Sequence, residues 1–255
     1  MIQARFFIEA QGNHKDAVKN SLKKLLEKLK SEEGVTVKSE TIGEAIYDSD
    51  AFSSILEADL RFDGFLSFVK ASLFYTPTAV EMMEPSELLL SRTEFLEGLA
   101  EVISTVKTVF SKLKVKIKFK GGKEREIGLS EEEIEERMDE GAIRAKIVVE
   151  KEGKSMDEAL KKVQKTLGEH VLINAMKGKK VKSETPFVGV VGVDALVTSP
   201  VEFFDIALKH VPVLVEIKEP ENVRLTMLDL QDICLNISGT FFELSCMVVQ
   251  PEEAK

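Results

Sequence analysis

Apolar and polar positions change period along this chain in a fixed order. Over the first ten residues they alternate, with Ala4, Phe6 and Ile8 on one face and Arg5, Phe7 and Glu9 on the other. That two-residue period predicts a half-buried strand. After Gly12, Val18, Leu22, Leu25 and Leu29 recur at helical spacing. VTVKSET begins a second strand, Leu56, Ala58, Leu60 and Phe62 line one face of a third, and FLSFVKASLFY reads as a second helix. Pro77 forces an extended entry to a fourth strand, AVEMME. Ser91-x-x-Glu94 then starts a final helix.

The second half of the chain repeats this order. IQARFFIEA (from Ile2) matches IRAKIVVEK (from Ile143), and VKSET occurs at Val37 and again at Val181. At a constant offset of 135, Phe52 matches Phe187, Asp59 matches Asp194, Phe68 matches Phe203 and Pro77 matches Pro212. Thr226-x-x-Asp229 stands where Ser91-x-x-Glu94 does. On this alignment the first copy carries nine extra residues between Thr41 and Phe52.

The expected architecture is α+β: a tandem duplication of a ferredoxin-like βαββαβ unit with an extra C-terminal helix in each copy. Residues 1–113 form the first repeat, 114–141 a charged connector and 142–255 the second repeat. The final helix of the first copy carries Phe95, Leu99, Val102, Val106, Val109 and Leu113, stepping by fours and threes, with Leu96, Ile103 and Phe110 widening the stripe. Its counterpart carries Leu230, Ile233, Ile237, Phe241, Leu244 and Val248, although Gly239 leaves 240–249 open to a strand. Such stripes predict packing on a sheet or on one another, or else a homodimer interface. In the connector, Lys114, Lys116, Lys118 and Lys120 alternate with Val115, Ile117 and Phe119, and Ser130 then caps an acidic helix. A guarded edge strand explains the lysines more simply than nucleic-acid binding does.

Composition narrows the function. Net charge is −9 and the pI about 5.1, which disfavours nucleic acid and anionic membranes. No apolar run is long enough for a membrane span. Cys234 and Cys246 form neither a disulfide framework nor a thiolate cluster, so a reducing cytoplasm is expected. The 35 cations comprise 28 Lys and 7 Arg, against 10 Asn plus Gln, a balance found in proteins of hot environments. No phosphate-loop, dinucleotide or nucleophile-elbow motif occurs. The glycines of VGVVGVDA lie inside a strand, where they serve close packing. His14, His170 and His210 have no ligand-spaced partners and read as surface or capping residues. No metal or cofactor is implied.

What remains is a set of polar residues at matched positions: Arg5 and Lys146, Glu9 and Glu150, Asp59 and Asp194, Glu81 and Glu216, with Lys38/Lys182 and Glu40/Glu184 on strand two. Alternation places them on the sheet face away from the helices, where Arg5–Asp59 and Lys146–Asp194 would pair across central strands. The reading is a non-enzymatic binding or assembly protein, an internal pseudo-dimer engaging a small ligand or protein through this face. On this face Glu9 and Asp59 are carboxylates of a kind suited to acid–base work, with no nucleophile, metal or cofactor nominated beside them; the alternatives are an enzyme using Asp or Glu in the cleft between the repeats, and a nucleic-acid binder through Lys114–Lys120.

Overall fold

The structure, a computed structural model, describes residues 1–48, 50–113, 124–181 and 187–248. The lysine strand at 114–120, and Lys182 and Glu184, lie outside the described residues. The described chain is mixed α+β, with antiparallel sheets and seven helices. It divides into two compact units, and the division cuts across the sequence order. The first unit comprises 1–88 and 225–255, the second 89–224.

In the first unit β1 (Ile2–Gly12), α1 (Lys15–Lys30), β2 (Val35–Ile42), β3 (Ile46–Asp48), β4 (Ala51–Phe62), α2 (Phe65–Tyr75) and β5 (Ala79–Glu84) follow in turn. The sheet order is β2-β4-β1-β5, all pairs antiparallel, with β3 also on β4. Alternation decides which face is buried. Ile2, Ala4, Phe6 and Ile8 of β1 and Leu56, Ala58, Leu60 and Phe62 of β4 are buried, as are Val18, Leu22, Leu26 and Leu29 of α1. The buried row of α1 therefore takes Leu26 where the spacing pointed to Leu25. The rings of Phe6, Phe62 and Phe68 meet at centroid distances of 5.4 to 6.2 Å, in the tilted and edge-on geometries favoured by the ring quadrupole.

The strand β6 (Glu87–Ser91) leads into α3 (Arg92–Leu113), and α4 (Glu131–Asp139) precedes β7 (Ile143–Gly153), α5 (Met156–Thr166), β8 (Val171–Lys180), β9 (Phe187–Val197), α6 (Val201–His210), β10 (Leu214–Glu219), β11 (Asn222–Thr226) and α7 (Met227–Val248). The second unit's sheet runs β10-β7-β9-β8, again antiparallel. Its core gathers Ile147, Val149, Val163, Ile173, Phe187, Val191 and Val193 among others. Residues 240–248 are helical, settling the ambiguity at Gly239.

The final helices are exchanged. α3 follows directly on the first unit's strands, yet it lies in the second unit, where the Phe95 ring meets Phe203 at 5.6 Å and Phe204 at 5.7 Å. α7 follows the second unit's strands and lies in the first, against α2 and β5, with Ser238 Oγ donating to Ser72 O at 3.3 Å. Each exchanged helix begins at a reciprocal cap: Glu94 N–H donates to Ser91 Oγ and Ser91 N–H to the Glu94 carboxylate, and Thr226 and Asp229 do the same. The central row of the α3 stripe, Phe95, Leu99, Val102 and Val106, is buried within the second unit. Leu96, Ile103 and Phe110 remain partly exposed.

The second VKSET is not a counterpart of the first. Val35 of β2 pairs with Phe62, and Val171 of β8 pairs with Val197, so Val171 stands where Val35 does. Both strands also slip register at the same place, between Val37 and Ser39 and between Ile173 and Ala175. The length difference between the halves therefore falls mostly in the first helix, 16 residues in α1 against 11 in α5, and no nine-residue insertion is needed. On this register Asn174 is the counterpart of Lys38.

The connector does not stand apart from 124 onward. Arg125 donates to Val171 O at 3.1 Å, Gly128 N–H donates to Ile173 O at 3.0 Å, and Ile127 bridges Ile173 in parallel. This covers part of the exposed side of β8, an edge strand that would otherwise offer free backbone groups.

Candidate functional site

On the first unit's open sheet face, Arg5 is the hub. Its Nε lies 2.6 Å from Asp59 Oδ1 and 3.3 Å from Glu57, and its Nη1 lies 3.8 Å from Glu81. Ser39 donates to Asp59 at 2.6 Å. These bonds, that from Arg5 first and that from Ser39 next, hold Asp59 below the usual aspartate range. Glu9 is bound elsewhere: Gln11 Nε2 donates to it at 2.9 Å, and the Ser53 hydroxyl also donates to it. Glu9 faces Ile55 across the ladder while Asp59 faces Arg5. The two carboxylates thus have separate partners and do not form the acid–base pair that the sequence left open.

The second unit builds its acid site differently. Lys146 is the cross-strand neighbour of Asp194, yet among the described residues it makes no ion pair. Asp194 is held instead by Lys218 at 2.5 Å, by Asn174 Nδ2 at 2.8 Å and by Arg144 at 3.8 Å. Burial pushes its acidity down, but the bonds from Lys218 and Asn174 and the charges of Lys218 and Arg144 outweigh that and leave it below the ordinary value. The same register slip occurs in both units, at Met83 of β5 and at Lys218 of β10; the partner changes because only the second unit carries a lysine at that place. Glu150, Glu81 and Glu216 are exposed.

One structural difference separates these two faces. In the second unit α4 packs against β9, and Leu196, on the outward row of β9, is only 1% exposed. Between α4 and the sheet lies a cleft of about 710 Å³, lined by Glu131, Glu135 and Asp139 from α4 and by Arg144, Asn174 and Glu219 from the strands, with Leu129, Ile134 and Met138. The helix that lines it is set by its own capping box, Glu133 N–H donating to Ser130 Oγ at 3.1 Å and Ser130 N–H to Glu133 at 2.8 Å. The sequence showed the helix and its charge. It gave no sign that the helix covers a sheet face, because no periodicity names the partner of an amphipathic surface.

Two further clefts occupy equivalent places, one in each unit. That of about 490 Å³ lies between α3 (Leu96, Ala100, Ile103, Lys107) and Pro212–Val215. That of about 200 Å³ lies between α7 (Leu235, Ser238, Gly239, Phe242) and Thr76–Thr78. Thr76 and Val211, 135 positions apart, both adopt left-handed backbone, φ 38° and 46°, a strained state for β-branched residues.

His210 is neither a surface nor a capping residue, as its lack of partners in sequence suggested. It is 7% exposed at the end of α6. Burial, with Lys151 nearby, lowers its pKa to about 4. No group of three or more His, Cys, Asp or Glu able to hold a metal occurs among the described residues, and no described helix is long and apolar enough to cross a membrane.

The MJ0538 family model matches residues 3–251. The chain is 30% identical to "Uncharacterized protein MJ0538" of Methanocaldococcus jannaschii, over 98% of this chain and 99% of that protein. No solved structure matches. On full-length similarity of this kind, the chain belongs to the MJ0538 family.

Proposed function

We propose that the protein is a non-enzymatic binding protein, built by tandem duplication of a ferredoxin-like βαββαβ unit, whose ligand occupies the cleft beneath α4. The duplication is supported by the identical strand orders of the two units and by matched register slips, caps and left-handed residues. The repeats would be 1–113 and 142–255, each lending its last helix to the other's unit.

The cleft carries the binding reading. It has the volume of a small-molecule site and is lined by four carboxylates, Glu131, Glu135, Asp139 and Glu219, against one guanidinium, Arg144. That charge balance suits a small organic cation with several amines. The lining holds no histidine, cysteine, serine or threonine, and its carboxylates are read as holding the ligand's cationic groups. Arg5 and Lys146, Glu9 and Glu150, and Glu81 and Glu216 then serve as a solvated polar surface.

The test is thermal unfolding with spermidine and with free arginine as probes. A ligand that binds only the folded state raises Tm with concentration. The proposal expects a rise for at least one probe that is lost in Glu135→Gln/Asp139→Asn. Unchanged unfolding with both probes at millimolar concentration would refute it.

A further inference from the structure

We infer that Lys151 is a reactive amine that condenses with small aldehydes, oriented by its contact with His210. The inference goes beyond the cleft under α4 and uses different residues.

Lys151 continues the buried row of β7. Ile143, Ala145, Ile147 and Val149 point into the core, and Lys151, next in phase, is partly buried. Its Nζ lies 3.4 Å from His210 Nδ1, and His210 Nε2 lies 3.1 Å from Thr166 O. A carbonyl only accepts, so Nε2 carries the ring proton and Nδ1 presents a lone pair to the amine. Among the described residues no carboxylate lies within ion-pair distance of Lys151. The charged group acting on it is Lys162 of α5, itself paired with Glu158 at 2.9 Å; Lys209 of α6, which acts on His210, is paired with Asp205 at 3.0 Å.

A partly buried ammonium without a counter-charge costs stability. The corresponding place in the first unit avoids that cost: Ala10 stands for Lys151 and Tyr75 for His210, with the Tyr75 hydroxyl donating to Glu32 at 3.0 Å. Burial and then the Lys162 charge favour the neutral amine of Lys151, which is the nucleophilic form. His210 accepts a hydrogen bond from that amine and so directs its lone pair away from the ring; it is a positioning residue.

In the reaction the lone pair attacks the aldehyde carbon and a C–N bond forms. The carbonyl oxygen takes a proton from water and an amine proton passes to solvent. The resulting hydroxyl takes a second proton and leaves as water while the remaining amine proton passes to solvent, giving the imine, with no change in electron count.

The test is limited reductive methylation of the intact protein with formaldehyde and cyanoborohydride across a pH series, read lysine by lysine by peptide mass spectrometry. Lys151 should reach half-maximal modification at a lower pH than Lys162 and Lys209 in the same sample. Lys151→Arg should remove that early-reacting site and leave the others unchanged. A Lys151 midpoint equal to or above theirs, or no product at Lys151 once Lys162 has fully reacted, would overturn the inference.

Discussion

Replacing Phe95 by leucine removes a ring that is fully buried and meets two aromatic partners edge-on, Phe203 at 5.6 Å and Phe204 at 5.7 Å. Leucine keeps most of the volume, so the loss should stay near about 1.5 kcal/mol, against about 3–5 kcal/mol for alanine. The informative quantity is the coupling. An aromatic pair contributes about 0.5–1.5 kcal/mol beyond its buried area. Phe95→Leu and Phe203→Leu should therefore fall short of additivity by about that amount in a double-mutant cycle measured by urea unfolding. Additivity of Phe95 and Phe203 would mean that α3 does not pack on α6, and its place in the second unit would be wrong.

Other consequences test other parts of the structure. A Cβ on Gly189 would lie 2.3 Å from the Lys179 carbonyl oxygen, whereas at Gly192 the nearest atom is 3.8 Å away; Gly189→Ala should cost about 1–3 kcal/mol in urea unfolding and Gly192→Ala far less. His210 titrates at about 4 when folded against an ordinary 6.5. The unfolded chain thus takes up the proton first, and stability should fall by roughly 3 kcal/mol as pH drops from 6.5 to about 4. His210→Gln should flatten that part of the stability profile, and an unchanged slope would show that His210 is solvated. Asp59 has a folded pKa below its ordinary 3.8, so its contribution is complete above that value and is lost at lower pH. Asp59→Asn should lower stability at neutral pH and weaken the acid-side dependence.

Much of the architecture was legible because alternation and helical spacing report directly on burial. The rows Ala4–Phe6–Ile8 and Leu56–Ala58–Leu60–Phe62, the caps at Ser91, Ser130 and Thr226, and the matched Asp59 and Asp194 all stood in the sequence. What was not legible required a partner to be named. The Phe95–Leu99–Val102–Val106 stripe announces a buried helix face but is indifferent to which α2-like helix receives it. The repeated VKSET misled because five identical letters outweighed the apolar phase of Val171 and Ile173, which fixes the true register. Lys146 was read as the partner of Asp194; β5 and β10 share a one-residue slip, invisible to alternation, and only β10 has a lysine there, Lys218, which takes that role. Lys151 did carry a signal, a lysine in phase with four core residues of β7.

Nuclear Overhauser contacts from the Phe95 ring, in protein carrying selectively labelled phenylalanine, test the exchange most directly. The structure requires cross-peaks from Phe95 to Phe203 and Phe204, whose ring centroids lie 5.6 and 5.7 Å away. Absence of cross-peaks from Phe95 to both Phe203 and Phe204, with the Phe95 ring otherwise observed, would contradict it.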